Sequence, residues 1–135
     1  MSTENSQRKL GRYTIIKEIG RGGFAIVYLA QKAGLNKDVA IKLLNPSLFA
    51  EEEILDRFIQ EAKTVAGLNY SKIVRVFDLD KIDNRLFMEM EYLSGGSLAD
   101  YIQNEQRISY TNLVTIILDI ADALDLPLIK LHCSV

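Results

Sequence analysis

Three groups of residues in this chain have types and spacing suited to chemistry. Gly20-Arg21-Gly22-Gly23-Phe24-Ala25 places three glycines in a short turn, Lys42 ends the apolar run Val39-Ala40-Ile41-Lys42, and Glu61 interrupts an apolar helical stripe between Ile59 and Ala62. Glycines permit positive φ and let backbone N–H groups approach anionic oxygens. A lysine ammonium is a mobile point charge suited to phosphate. A glutamate paired with it fixes its direction more than it adds stability. Taken together, the chemistry is the gripping of a phosphate chain. Taken singly, each has a plainer reading: a hairpin turn, a lysine snorkelling from a sheet edge, a solvated glutamate. A dinucleotide-binding turn would open a helix, whereas Phe24-Ala25-Ile26-Val27-Tyr28-Leu29 reads as strand. A P-loop lacks its Lys-Ser or Lys-Thr.

The elements that must position these residues follow from the hydrophobic pattern. Tyr13 to Ile19 and Phe24 to Ala30 read as two strands around the glycine turn, and Gly34-Leu35-Asn36 as the next turn. Lys37 to Leu44 reads as a third strand, on which Ala40 and Lys42 share a face. Glu51 to Leu68 is predicted as a helix, with glutamates at its positive end and Ile54, Phe58, Ala62 and Val65 at helical spacing. Ile73 to Leu79 and Arg85 to Tyr92 are two more strands around the polar stretch Asp80 to Asn84. The expected plan is α+β, a five-stranded antiparallel sheet with one helix on it. Beyond Ser94-Gly95-Gly96, Ser97 caps a short helix through Gln103. A longer helix spans about Ser109 to Leu126, with Pro127 ending it. Its Leu113, Ile116, Ile117, Ile120, Ala121 and Leu124 form one apolar stripe that needs a cover.

Bulk properties narrow the function classes. With 135 residues, 48% hydrophobic and 25% charged, the chain has the composition of a globular domain. A net charge of −2 provides no basic field for nucleic acid, so none is expected as a partner. The single cysteine, Cys133, has no internal partner, and a reducing, cytoplasmic setting is expected. Residues 1–9 read as a polar arm without a signal-peptide core, and no apolar run is long enough to span a membrane.

The combined pattern resembles the N-terminal lobe of protein kinases, closest to the bacterial serine/threonine type. Ile19-Gly20-Arg21-Gly22-Gly23-Phe24-Ala25-Ile26-Val27-Tyr28 is similar to the glycine-rich loop, and Val39-Ala40-Ile41-Lys42 to the third-strand lysine motif. Arg57-Phe58-Ile59-Gln60-Glu61-Ala62 resembles the helix that supplies the paired glutamate. Phe87-Met88-Glu89-Met90-Glu91-Tyr92-Leu93 with Gly95-Gly96-Ser97-Leu98 resembles the last strand and hinge. The resemblance covers Leu10 to Asp125 and implies a division into arm (1–9), N-lobe (10–92), hinge with two helices of an incomplete C-lobe (93–125) and tail (126–135).

What the resemblance implies about function is specific. ATP is the expected cofactor, with Ile19, Val27 and Ala40 packing on the adenine, Met90 behind it as gatekeeper, and Glu91 and Leu93 bonding its edge through the backbone. Gly20, Arg21, Gly22, Gly23, Phe24 and Ala25 would cover the phosphates, which Lys42 would hold under the direction of Glu61. A protein substrate is expected in a full-length form, and Mg²⁺ only with a complete C-lobe. No metal ligand is assigned. A nucleotide-binding or scaffolding module without transfer is the alternative. Three departures from the family pattern stand out. The third loop glycine is Ala25, and Tyr70-Ser71-Lys72 replaces the usual His-Pro-Asn. After Asp125 the chain reads Leu126-Pro127-Leu128-Ile129-Lys130-Leu131-His132-Cys133-Ser134-Val135, without the His-Arg-Asp and Asp-Phe-Gly motifs. That tail is expected to be aberrant, His132 and Cys133 to have no catalytic role, and this chain alone to be catalytically incomplete.

Overall fold

A computed structural model of the chain describes residues 8–104 and 107–132. The chain divides into two units, one running through Gly67 and resuming over Arg75–Tyr92, the other holding Leu68–Val74 and the chain from Leu93 on. Most of the polar arm read over 1–9 lies outside the described residues, as do Cys133 and the rest of the tail beyond His132.

The first unit is an antiparallel sheet of β1 (Lys9–Leu10), β2 (Tyr13–Arg21), β3 (Ala25–Lys32), β4 (Lys37–Leu44), β5 (Val76–Ile82) and β6 (Arg85–Glu91), in the order β1-β2-β3-β4-β6-β5. One helix, α1 (Glu52–Ala66), belongs to the same unit. The sheet has six strands rather than the expected five. The extra strand is only two residues long, too short to show alternation, and it forms because Gly11 turns the chain at φ 51° so that Lys9 pairs with Thr14.

Other boundaries move for local reasons. Strand β3 starts at Ala25, since the Phe24 carbonyl accepts a hydrogen bond from the Asn45 N–H at 2.9 Å and stays in the turn. Strand β5 starts at Val76 rather than Ile73, because Ile73 N–H closes a turn onto the Tyr70 carbonyl at 3.1 Å. The Asp80–Asn84 turn shrinks to Asp83-Asn84, both at positive φ, 49° and 59°, as a two-residue hairpin requires.

Strand β4 is buried on both faces, which explains its unbroken apolar run. On one face, Tyr13, Tyr28, Ala30, Val39, Ile41, Leu43 and Phe87 form a core, with the Phe87 ring edge-on to Tyr13 at 5.4 Å. On the other, Phe58 and Ala62 of α1 pack with Ala25, Leu44, Leu86 and Met88. Burying one side chain of that size stabilises by about 1.5–3 kcal/mol. Glu52 and Glu53 occupy the first turn of α1, where the helix dipole favours them, while Glu51 makes no side-chain cap.

A charged group lies inside the first core. Glu89 is 2% exposed and accepts hydrogen bonds from Tyr13 Oη at 2.6 Å and from Lys32 Nζ at 2.9 and 3.0 Å. These contacts tie β2, β3 and β6 together, and partnering removes most of the penalty of burying a carboxylate. Burial, with the hydrogen bond to Glu89, pushes the Tyr13 phenol up to about 12.

In the second unit, Ser97 caps α2 (Leu98–Gln103) as the sequence indicates. Its Oγ accepts from Asp100 N–H at 3.1 Å while its own N–H donates to Asp100 Oδ2 at 2.7 Å, a reciprocal capping box. Helix α3 (Tyr110–His132) runs through Pro127, which does not end it. Proline removes one hydrogen-bond donor and crowds one carbonyl, but its φ is helical and neighbouring bonds can carry the helix on. Lys72 pairs with Asp119 at 2.5 Å and Asp122 at 3.3 Å on this helix. Among the described residues no helix is long and apolar enough to cross a membrane.

Candidate nucleotide site

Strand register assembles the site. Gly20 lies opposite Val27, Val27 opposite Lys42, and Lys42 opposite Met88, so one row of the sheet runs from the glycine turn to β6. Two residues along, Ala40 lies opposite Met90 on the same face of β4 as Lys42. That face carries α1, and the helix presents Glu61 one turn after Phe58. Lys42 Nζ donates to Glu61 Oε1 at 2.6 Å and sits 5.8 Å from the Phe58 ring centre. Lys42 is 24% exposed and Glu61 50% exposed, so the pair faces open space and is not a buried structural bridge.

That space is a cleft of about 520 Å³, lined by Gly20 through Ala25, Val27, Lys42 and Glu61 together with Leu44, Ile54, Arg57 and Phe58. Of the residues named from sequence, Ile19, Ala40, Met90 and Glu91 do not line it, and Leu93 belongs to the second unit. Ile19 is the extra residue where the β2–β3 register slips between Glu18 and Gly20, a bulge beside the glycine turn. The Glu91 N–H donates to the Arg75 carbonyl at 2.9 Å, whereas the group that the resemblance assigns to the adenine edge is the Glu91 carbonyl.

Four lining residues, Leu44, Ile54, Arg57 and Phe58, were not assigned to the site from the sequence, although signals for three of them existed. Leu44 follows Ala40 and Lys42 at strand period, and Ile54, Phe58 and Glu61 share a helix face. Arg57 is the exception: its partner is Glu53, at 2.5 Å on the outer side of the helix, and nothing in its spacing marks it as lining.

The glycine turn departs from expectation in its backbone. Gly20, Gly22 and Gly23 are not in the left-handed region, so their glycine identity is not forced by φ. Gly22 N–H donates to the Ala25 carbonyl at 2.9 Å and closes the turn. A Cβ at Gly23 would meet nothing within 4 Å, and at Gly22 only the Ala25 carbonyl at 3.7 Å. What these glycines provide here is bare backbone facing the cleft. Arg21, which lines the cleft, is held by a bidentate pair with Glu18, at 2.7 and 2.8 Å, and its hydrogen bonds hold the Glu18 carboxyl below its usual range.

The donor set fits a polyanion: one ammonium, an aligned carboxylate and a side-chain-free turn around an apolar cleft. Among the described residues no group of three or more His, Cys, Asp or Glu side chains is placed to hold a metal ion.

A curled antiparallel sheet with one helix, a glycine turn and a Lys–Glu pair between them defines the nucleotide-binding lobe of a kinase fold. The protein kinase domain profile matches residues 13–128, and the chain belongs to that family. It is 40% identical over 96 residues to the serine/threonine-protein kinase PrkC of Bacillus subtilis, covering 71% of this chain and 15% of the relative. It is 36% identical over 118 residues to the serine/threonine-protein kinase PkaB of Streptomyces coelicolor, covering 87% of this chain and 28% of the relative. The crystal structure of the Mycobacterium tuberculosis PknI kinase domain superposes with a TM-score of 0.71 at 27% identity, covering 90% of this chain and 50% of that one. The chain thus spans under a third of these curated relatives and half of that solved domain, as the N-terminal part of a bacterial-type kinase domain.

Proposed function

We propose that this chain is the ATP-binding portion of a serine/threonine protein kinase. The observation that carries this reading is the Lys42–Glu61 pair at 2.6 Å, open to a cleft roofed by the glycine turn. ATP supplies the γ-phosphoryl group that such kinases transfer to protein hydroxyls. Lys42 binds the phosphate chain and Glu61 fixes the direction of its ammonium. Gly20, Gly22 and Gly23 let the turn come close to phosphate oxygens, with Arg21, Phe24 and Ala25 completing the cover. Val27 lies opposite Lys42 and Ala40 two residues along on the same face, where a flat base can pack, and Met90 stands opposite Ala40. Ile19, Glu91 and Leu93 complete the adenine end of this proposal.

Protein substrate, Mg²⁺ and the transfer step belong in the proposal to a full-length form, and a cytoplasmic setting goes with them. The scaffolding alternative draws on no observation of its own. ATP should raise the melting temperature of the full chain progressively, by a roughly constant step for each tenfold rise in concentration above the dissociation constant, since a ligand that binds only the folded state stabilises it. Lys42→Met should abolish most of that rise. An equal rise in the variant would contradict the assignment.

A further inference from the structure

The opposite side of the glycine turn carries a second concave site. A groove of about 360 Å³ is lined by Arg8, Arg21 and Arg85 over a floor that includes Ile26, Tyr28 and Leu43, and among the described residues no carboxylate lines it. Arg8 holds its guanidinium 5.9 Å over the Tyr28 ring, which leaves the edge donors of the fork available. Neither Arg8 nor Arg85 forms an ion pair among the described residues. Arg21 is paired with Glu18, but that pair is exposed and exchangeable. Two guanidinium forks without an acid partner among the described residues, beside a third held by Glu18, call for a ligand with several acceptor oxygens and more than one negative charge. A phosphate monoester has that form and gains charge-assisted hydrogen bonds from an arginine cluster.

The chain itself supplies a candidate. Residues 1–7 lead directly into Arg8 and carry Ser2, Thr3 and Ser6. Ser6 is two residues from Arg8, a reach of at most about 7 Å between Cα atoms. We propose that the Arg8–Arg21–Arg85 groove is a binding site for a phosphoserine at Ser6 of the same chain. Arg21 and Leu44 line both this groove and the nucleotide cleft, so an anion that draws Arg21 away from Glu18 acts on the glycine turn from behind. The ester forms when a serine/threonine kinase directs Ser6 Oγ onto the γ-phosphorus of ATP. The Oγ–P bond forms and the β–γ P–O bond breaks, its electrons stay on ADP, and the hydroxyl proton goes to that kinase's base. Self-modification by the parent rests on the kinase reading above; the site does not.

The test installs phosphoserine at position 6 of the full chain during synthesis, so it needs no transfer activity and stands or falls apart from ATP binding. Phosphorus NMR then follows the second ionisation of the phosphate, which lies near pH 6 in a free peptide. The expected result is a midpoint at least about half a unit lower than in the free phosphopeptide. Arg85→Gln and Arg8→Gln, made separately so that one folding failure does not decide the matter, should each return it toward the peptide value. A phosphate that titrates as in the free peptide overturns the proposal. So does binding of added inorganic phosphate or an acidic peptide to the arginines while the Ser6 phosphate titrates freely.

Discussion

Lys42 and Glu61 are 19 positions apart in sequence, on β4 and α1, and their charged ends meet at 2.6 Å above the Phe58 ring. The pair is half open to solvent, so its contribution to folding is below about 1 kcal/mol. Lys42→Met should therefore unfold at nearly the same denaturant concentration as the parent chain. A loss of several kcal/mol in equilibrium unfolding would show that the pair is structural.

The glycine turn separates binding from stability in a similar way. Gly23 has open space where a Cβ would sit and no left-handed backbone. Gly23→Ala should leave stability unchanged or raise it by up to about 1 kcal/mol through the unfolded state. ATP affinity should fall several-fold, because the methyl group stands where backbone must approach phosphate. Unchanged affinity by titration would place the phosphates elsewhere.

The Glu89 cluster predicts an asymmetry. Lys32→Met leaves a buried carboxylate with only Tyr13 as partner and should cost roughly 3 kcal/mol. The double variant Lys32→Met with Glu89→Leu should recover much of that loss, since neither charge is then buried. Chemical denaturation of the two variants checks the order. A double variant less stable than the single one would mean that packing, not charge, dominates there.

The same cluster sets a pH limit. The Tyr13 phenol ionises near 10 when unfolded and at about 12 when folded, so the folded state favours the protonated form. Its contribution, worth roughly 3 kcal/mol at most, is complete below pH 10 and is lost as pH rises through about 12. Tyr13→Phe should flatten the stability profile in that window, as read from melting temperatures at constant salt.

Helix α3 exposes Leu113, Ile117, Leu118, Ile120 and Leu124. A patch of this kind promotes self-association and binds hydrophobic dyes. Replacing Ile117 and Leu124 together with lysine should lower both, measured by light scattering and dye fluorescence. A chain that is already monomeric and dye-silent would contradict the expectation.

Much of this was legible in the sequence because period and position coincide. Val39-Ala40-Ile41-Lys42 stands in a strand buried on both faces, and the α1 stripe names its own buried residues, Phe58 and Ala62. Features that depend on distant partners were not legible. Glu89 looks like any strand glutamate until Tyr13 and Lys32 arrive from β2 and β3. The Lys9–Leu10 strand is too short for alternation, and its only local mark is Gly11. Pro127 reads as a stop because proline propensity is local, whereas α3 continues through it. The ordinary φ of Gly20, Gly22 and Gly23 also cannot be read from composition, since glycine permits positive φ without requiring it.

Calorimetric titration of ATP into the full chain, beside Lys42→Met and Glu61→Gln, bears most directly on the nucleotide site. Losing a charged hydrogen bond to phosphate costs about 1.5–3 kcal/mol, so Lys42→Met should weaken binding at least about tenfold, with Glu61→Gln in between. Equal affinity for all three folded proteins would place the nucleotide outside the Lys42–Glu61 cleft and contradict the kinase reading of this site.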